Sequence, residues 1–229
     1  MAASTIRRNR RPDALLKTDP RTFILQNTEI MRPPHVPEIR LHLASEAHDL
    51  WQKTEEDLEE IGLPPPFWAF AWAGGQGLAR YILDNPDVVA GRRVLDFASG
   101  SGLVAIAAKL AGAADVLAAD IDPWTQSAVA LNAAENGVTV RFTAENLIGR
   151  AVEADVVLAG DVFYDREFAA ALIPWFVRLA GEGKLVLVGD PGRSYLPKDR
   201  LKQLAVHQVP VTRALEDSEV KKTTVWRFG

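Results

Sequence analysis

An α/β fold is predicted for this 229-residue chain: a Rossmann-like, mostly parallel sheet closed by a C-terminal antiparallel hairpin. Three observations predict it. Apolar runs alternate with helix-period segments from Val94 to Val188, as a parallel sheet with two covered faces requires. The first run ends in Asp96 and feeds a turn containing Gly100 and Gly102, then the helical pattern Leu103, Ile106, Ala107, Leu110. The last two runs, Val206–Val211 and Thr223–Phe228, leave no room for a crossover helix and must pair as a hairpin.

Taken in order, residues 1–36 read as an arm, with Arg7, Arg8, Arg10 and Arg11 near its start. The mixed segment TFILQNTEIM suggests that its later part docks. Residues 37–90 form an extension rich in helix and aromatic side chains. A helix is expected over Glu38–Ile61 from the period of Leu41, Ala44, His48 and Trp51, its acidic second half forming a solvated face or a docking surface. LPPPFWAFAWAGGQG then packs Phe67, Trp68, Phe70 and Trp72 between a triple proline and Gly74-Gly75, and one or two of these rings are expected to line a pocket. Gln76–Leu83 reads as a helix covering one edge of the sheet.

Residues 91–229 form the core. A helix opens after Asp122-Pro123 and stops at Asn136-Gly137. Strands follow at Val138–Thr143, Ala154–Ala159 and Lys184–Val188, with a helix over Glu167–Leu179 that Pro174 should kink or divide. A further helix is expected at Lys198–Leu204.

Composition narrows the function. With no cysteine there is neither a disulfide framework nor a thiol nucleophile, and the four scattered histidines argue against a metal site. A net charge of −4 disfavours broad nucleic-acid or anionic-membrane binding. No run approaches the roughly 18 apolar residues of a membrane span, and no apolar signal core follows the arginines, so the cytoplasm is the expected location.

The glycine turn predicts a nucleoside-containing cofactor, because bare backbone can approach a ligand and the next helix presents its amides to it. Gly100-Ser101-Gly102-Leu103-Val104-Ala105 nearly fits the dinucleotide fingerprint, which would make the cofactor NAD. S-adenosylmethionine is the reading that also uses Asp96, which would reach the cofactor's charged amino-acid portion directly or through water. Asp120 would hold the two ribose hydroxyls, with Asp122 supporting the same loop, and Asn146 would help hold the adenine. Asp161 would then follow the fourth core strand, at the face where open α/β sheets place their sites, near the transferable methyl group. Asp161 and Tyr164 together make an amine-holding edge beside the aromatic cluster; read separately, they remain open to being a helix cap and a core ring.

The stretches PPPFWAFAWAGGQGLARYILDNPDVVAG, VLDFASGSG, ADIDP, GDVFYD, GDPGR and TTVWRF together resemble the lysine methyltransferases that modify the β subunit of electron-transfer flavoprotein, over nearly all of the chain from Pro37 onward. The resemblance implies the seven-stranded class I methyltransferase sheet with an N-terminal helical extension. It implies S-adenosylmethionine as cofactor and trimethylation of lysines near the flavoprotein's dehydrogenase-recognition loop. Trp72 matches the family tryptophan ahead of the cofactor turn, Asp96 and Gly100 the first cofactor motif, and Asp120, with Ile121 beside it, the second. Asp161 and Tyr164 match the D-x-F-Y element implicated in activity and lysine placement. Ala98 departs from the pattern, standing where many methyltransferases have a glycine. A monomer that binds a protein substrate, without nucleic acid or membrane, is the expected form.

Overall fold

Residues 20–27 are held against the core by apolar side chains. In the computed structural model, which describes residues 19–45, 50, 65–212 and 218–229, Asp19 caps helix α1 (Pro20–Asn27) by accepting the Thr22 N–H. Its Ile24 is fully buried in a cluster with Trp68 and Trp124, and Phe23 meets the Trp124 ring edge-on at 5.0 Å. Strand β1 (Glu29–Met31) then pairs antiparallel with β2 (Leu41–Leu43). This overturns part of the helix expected over Glu38–Ile61: Leu41, His42 and Leu43 are all buried, in a ribbon against the core. The helical period there arose from apolar residues that serve a strand buried on both sides. Most of the remaining stretch lies outside the described residues.

Helix α2 (Ala73–Asp84) is followed by β3 (Arg93–Phe97), α3 (Leu103–Leu110), β4 (Asp115–Ala119), α4 (Thr125–Glu135), β5 (Arg141–Thr143), β6 (Val156–Gly160), α5 (Arg166–Gly181) and β7 (Leu185–Asp190). The long strands β8 (Leu201–Pro210) and β9 (Val220–Phe228) close the chain. The seven-stranded sheet runs β5-β4-β3-β6-β7-β9-β8, parallel from β5 to β7, with β9 antiparallel to both β7 and β8. The predicted hairpin is therefore present.

Period-two alternation sorts the strand side chains into two layers. Val94, Val116, Val156, Leu158 and Leu187 pack beneath α2 and α3. Leu95, Phe97, Val157, Ala159, Val186 and Val188 pack against Leu172, Trp175 and Phe176 of α5. Pro174 does not divide α5, which runs through it.

Two other expectations change. Lys198–Leu204 is not a helix: a single 3₁₀ turn covers Lys198–Arg200 and the strand starts at Leu201, because Leu201 already pairs with Phe228. Helix α2 lies across the sheet's face, touching β6, β7, β8 and β9, instead of covering an edge. Glycines permit that approach. A Cβ on Gly74 would stand 2.3 Å from the Gly189 carbonyl oxygen, and one on Gly160 would stand 2.8 Å from the Gly75 Cα. The start of α2 thus sits directly on the carboxyl ends of β6 and β7.

Candidate active site

Acidic side chains mark the carboxyl ends of four adjacent parallel strands: Asp96 within β3, Asp120 after β4, Asp161 after β6 and Asp190 ending β7. This edge is where open α/β sheets bind ligands.

Asp96 is 1% exposed, and its carboxylate accepts the Ala105 N–H at 3.0 Å, tying the strand to the first turn of α3. Burial pushes its carboxyl up to about 8, with the Asp120 charge adding to the rise and the Ala105 amide opposing it. Asp120 accepts the Gly100 and Asp122 amides, each at 3.0 Å, so it clamps the glycine turn to its own loop. Burial raises its carboxyl as well. Asp122 accepts the Trp124 N–H at 2.8 Å, and burial lifts its carboxyl to about 6.

The turn needs left-handed backbone: φ is 54° at Ala98, 49° at Gly100 and 77° at Gly102. Ala98 takes this conformation despite its Cβ. Asn132, fully buried in α4, donates to the Ser101 carbonyl and fixes the turn from behind. Ile121, next to Asp120, is 71% exposed, an apolar side chain open to solvent beside a carboxylate. Asn146 is exposed beyond β5, and its side-chain oxygen accepts the Ile148 N–H.

The aromatic segment divides. Trp68 is buried and stacks on Trp124. Phe67 remains half exposed, and its carbonyl oxygen lies 3.6 Å from where a Cβ on Gly100 would sit. The same residue's ring touches Trp72 and Tyr164, each with centroids 5.9 Å apart. Trp72 donates its indole N–H to the Phe67 carbonyl, which fixes the ring.

Asp161 has φ 58°, a conformation that aspartate tolerates better than most residues. One carboxylate oxygen accepts the Gly75 N–H at 2.9 Å, in the first turn of α2. The other receives Arg193 through Nη2 at 2.7 Å and Nε at 3.2 Å. The Arg193 guanidinium also lies over the Trp72 ring, 5.8 Å from its centroid. Tyr164, 53% exposed, completes this corner; burial raises its phenol, and the Asp120 and Asp165 charges raise it further.

The structure therefore gathers Asp96, Gly100, Gly102, Asp120 and Ile121 at one end of the edge, and Trp72, Asp161 and Tyr164 at the other. From sequence alone Arg193, the Gly75 amide and Asp190 had no role, and Phe67 was only one of four rings of which one or two were expected to line a pocket. The GDPGR string was the only signal for Arg193 and Asp190, and their function depends on contacts between β6, β7 and α2.

The sheet order, with an antiparallel β9 inserted between β7 and β8, and an acid-clamped glycine turn after β3 define a class I methyltransferase fold. Two solved structures share that fold at a TM-score of 0.50. One is the N-methyltransferase NodS from Bradyrhizobium japonicum in complex with S-adenosylhomocysteine, 13% identical over 67% of this chain and 85% of that one. The other is magnesium protoporphyrin IX methyltransferase from Synechocystis with bound S-adenosylhomocysteine, 16% identical over 68% and 81%. The family model for ribosomal protein L11 methyltransferase matches residues 79–162.

Relatives of nearly full length narrow this further. The chain is 42% identical to the electron transfer flavoprotein beta subunit lysine methyltransferase of Xenopus laevis, covering 95% of this chain and 90% of that protein. The human protein of the same name is 35% identical, covering 94% and 84%. The chain belongs to the electron transfer flavoprotein beta subunit lysine methyltransferase family.

Proposed function

We propose that the chain transfers methyl groups from S-adenosylmethionine to lysine side chains of the electron transfer flavoprotein beta subunit. The observation that carries this reading is Phe67: its carbonyl lies near the glycine turn while its ring touches Trp72 and Tyr164, so one residue bridges the two ends of the edge.

The residues present fit the cofactor. Asp120 accepts one amide on each oxygen, and a carboxylate's remaining lone pairs can still receive two ribose hydroxyls. Exposed Ile121 offers an apolar surface for a flat base, and Asn146 stands beyond the next strand as a further polar contact. The bare backbone at Gly100 and Gly102 admits close approach, and Asp96, at the end of β3 below that turn, would reach the cofactor's charged amino-acid portion directly or through water. When bound, S-adenosylmethionine supplies a methyl group on a cationic sulfur.

The chain's own residues prepare the acceptor. Trp72, Phe67 and Tyr164 wall the approach and limit water around an amine, which favours its neutral, nucleophilic form. Tyr164 orients the nitrogen through its hydroxyl. Asp161 fixes the corner from both sides, holding α2 by the Gly75 amide and Arg193 by its guanidinium. Aromatic faces also accommodate a growing methylammonium, as repeated transfer requires.

The test is incubation of the purified protein with labelled S-adenosylmethionine and recombinant flavoprotein, followed by mass spectrometry of the beta subunit. Added mass in 14-Da steps on lysine is the expected result. Ribosomal protein L11 belongs in a parallel incubation, since that family's model matches residues 79–162; label on L11 and none on the flavoprotein would replace the acceptor named here.

A further inference from the structure

Asp161 poses an electrostatic difficulty. A lysine in water holds its proton, with a pKa of about 10.4, and must shed it to attack a methyl group. An isolated carboxylate in the acceptor corner would stabilise the ammonium and work against that step. The structure does not leave Asp161 isolated. Arg193 binds one of its oxygens through two nitrogens, at 2.7 and 3.2 Å, with both side chains largely withdrawn from solvent.

Arg193 is also anchored from behind. Its own N–H donates to Asp190 Oδ1 at 2.7 Å, and the Gly192 N–H donates to the same oxygen at 2.6 Å. Asp190 is 1% exposed at the end of β7, so the loop that carries Arg193 is built on the sheet itself. The guanidinium then projects between Asp161 and the Trp72 ring. An anion beside an aromatic face is a natural seat for a cation, and here the chain's own arginine occupies it.

We propose that Arg193 is a positioning residue that neutralises Asp161 and keeps a second positive charge beside the acceptor amine, so that bound lysine gives up its proton to water before methyl transfer. This rests on the lysine-methyltransferase reading above. Among the described residues, other charged groups also act on this corner. Asp190 faces Arg193 from β7, with the Lys198 charge acting on Asp190 from beyond, while Asp120 and Asp165 act on Tyr164. Arginine suits the role because it stays protonated at every working pH and its planar fork holds a carboxylate in a fixed orientation.

The experiment is the pH dependence of kcat with flavoprotein as substrate, for wild type, Arg193→Gln and Arg193→Lys. The kcat profile reports groups in the enzyme–substrate complex, bound lysine among them. Arg193→Gln removes the guanidinium charge and its two hydrogen bonds from Asp161, so the acid limb should move up by about 1 pH unit. Its kcat should fall about tenfold at neutral pH and recover at high pH, with KM unchanged or lower. Arg193→Lys should restore most of the wild-type limb. A kcat reduced equally at all pH values would show a merely structural role and overturn the proposal, as would an unmoved limb at full activity. If wild type itself transfers no methyl group to the flavoprotein, the acceptor assignment has failed instead, and the two failures are distinct.

Discussion

Replacing Asp96 by Asn tests how burial has tuned the cofactor edge. In the folded protein the Asp96 carboxyl is pushed up to about 8 from an ordinary value of 3.8, chiefly by burial. The folded chain therefore keeps a proton that the unfolded chain has already released. Between pH 4 and pH 8, roughly, stability must fall as pH rises, by about 1.4 kcal/mol per unit from this one group. Asparagine keeps an oxygen for the Ala105 amide and has no proton to lose. Wild type should thus lose about 3 kcal/mol relative to Asp96→Asn between pH 5 and pH 7. Urea unfolding of both proteins without ligand, at pH 5, 6 and 7, measures it by linear extrapolation. Taking the difference between the two proteins cancels the other titrating groups. Parallel stability curves would show that Asp96 is already ionised in the fold and refute the reasoning.

Other substitutions probe separate parts of the edge. Asp120→Ala removes the acceptor for the Gly100 and Asp122 amides and the seat for two hydroxyls; titration calorimetry should show S-adenosylmethionine bound about 10- to 100-fold more weakly. Gly74→Ala places a methyl group 2.3 Å from the Gly189 carbonyl oxygen, and a backbone neighbour cannot easily yield, so thermal unfolding should register a loss of about 1–3 kcal/mol or more. Ala98→Gly relieves a left-handed residue at φ 54° and should raise stability by about 1 kcal/mol, visible as a higher Tm. Asp161→Asn should cost much more in kcat than in cofactor affinity, because it weakens the hold on Arg193 and on the Gly75 amide that shape the corner while the β3 and β4 contacts stay intact; equal losses in both would contradict that division.

Local signals carried the parallel core. Acid-ended apolar runs, left-handed glycines and a tail too short for a crossover are written within a few residues of one another, so Asp96, Gly100, Gly102 and Asp120 could be read directly. The ends of the chain were less legible. Leu41–Leu43 looks helical by period, but its partner is β1, a dozen residues earlier, and only the pairing makes it a strand. Lys198–Leu204 has helix-forming residues, yet the register of β8 against β9 extends the strand back to Leu201. The acceptor corner was half visible. Asp161, Tyr164 and Trp72 stood out as unusual residue types near loop signals. The role of Arg193 did not, since it follows from Asp190 aiming a loop across β6, and no spacing within the sequence encodes that convergence. The glycine contacts that seat α2 on β6 and β7 were hidden for the same reason: Gly74, Gly160 and Gly189 are distant in sequence and adjacent only in the fold.

The central claim is that one continuous cleft runs from the glycine turn to the corner of Asp161, Arg193, Trp72 and Tyr164. A crystal structure of the complex with S-adenosylhomocysteine tests it most directly. The account predicts ribose hydroxyls on Asp120 and a sulfur atom open towards that corner. A sulfur facing away from Asp161 and Trp72, with another surface beyond it, would contradict the account.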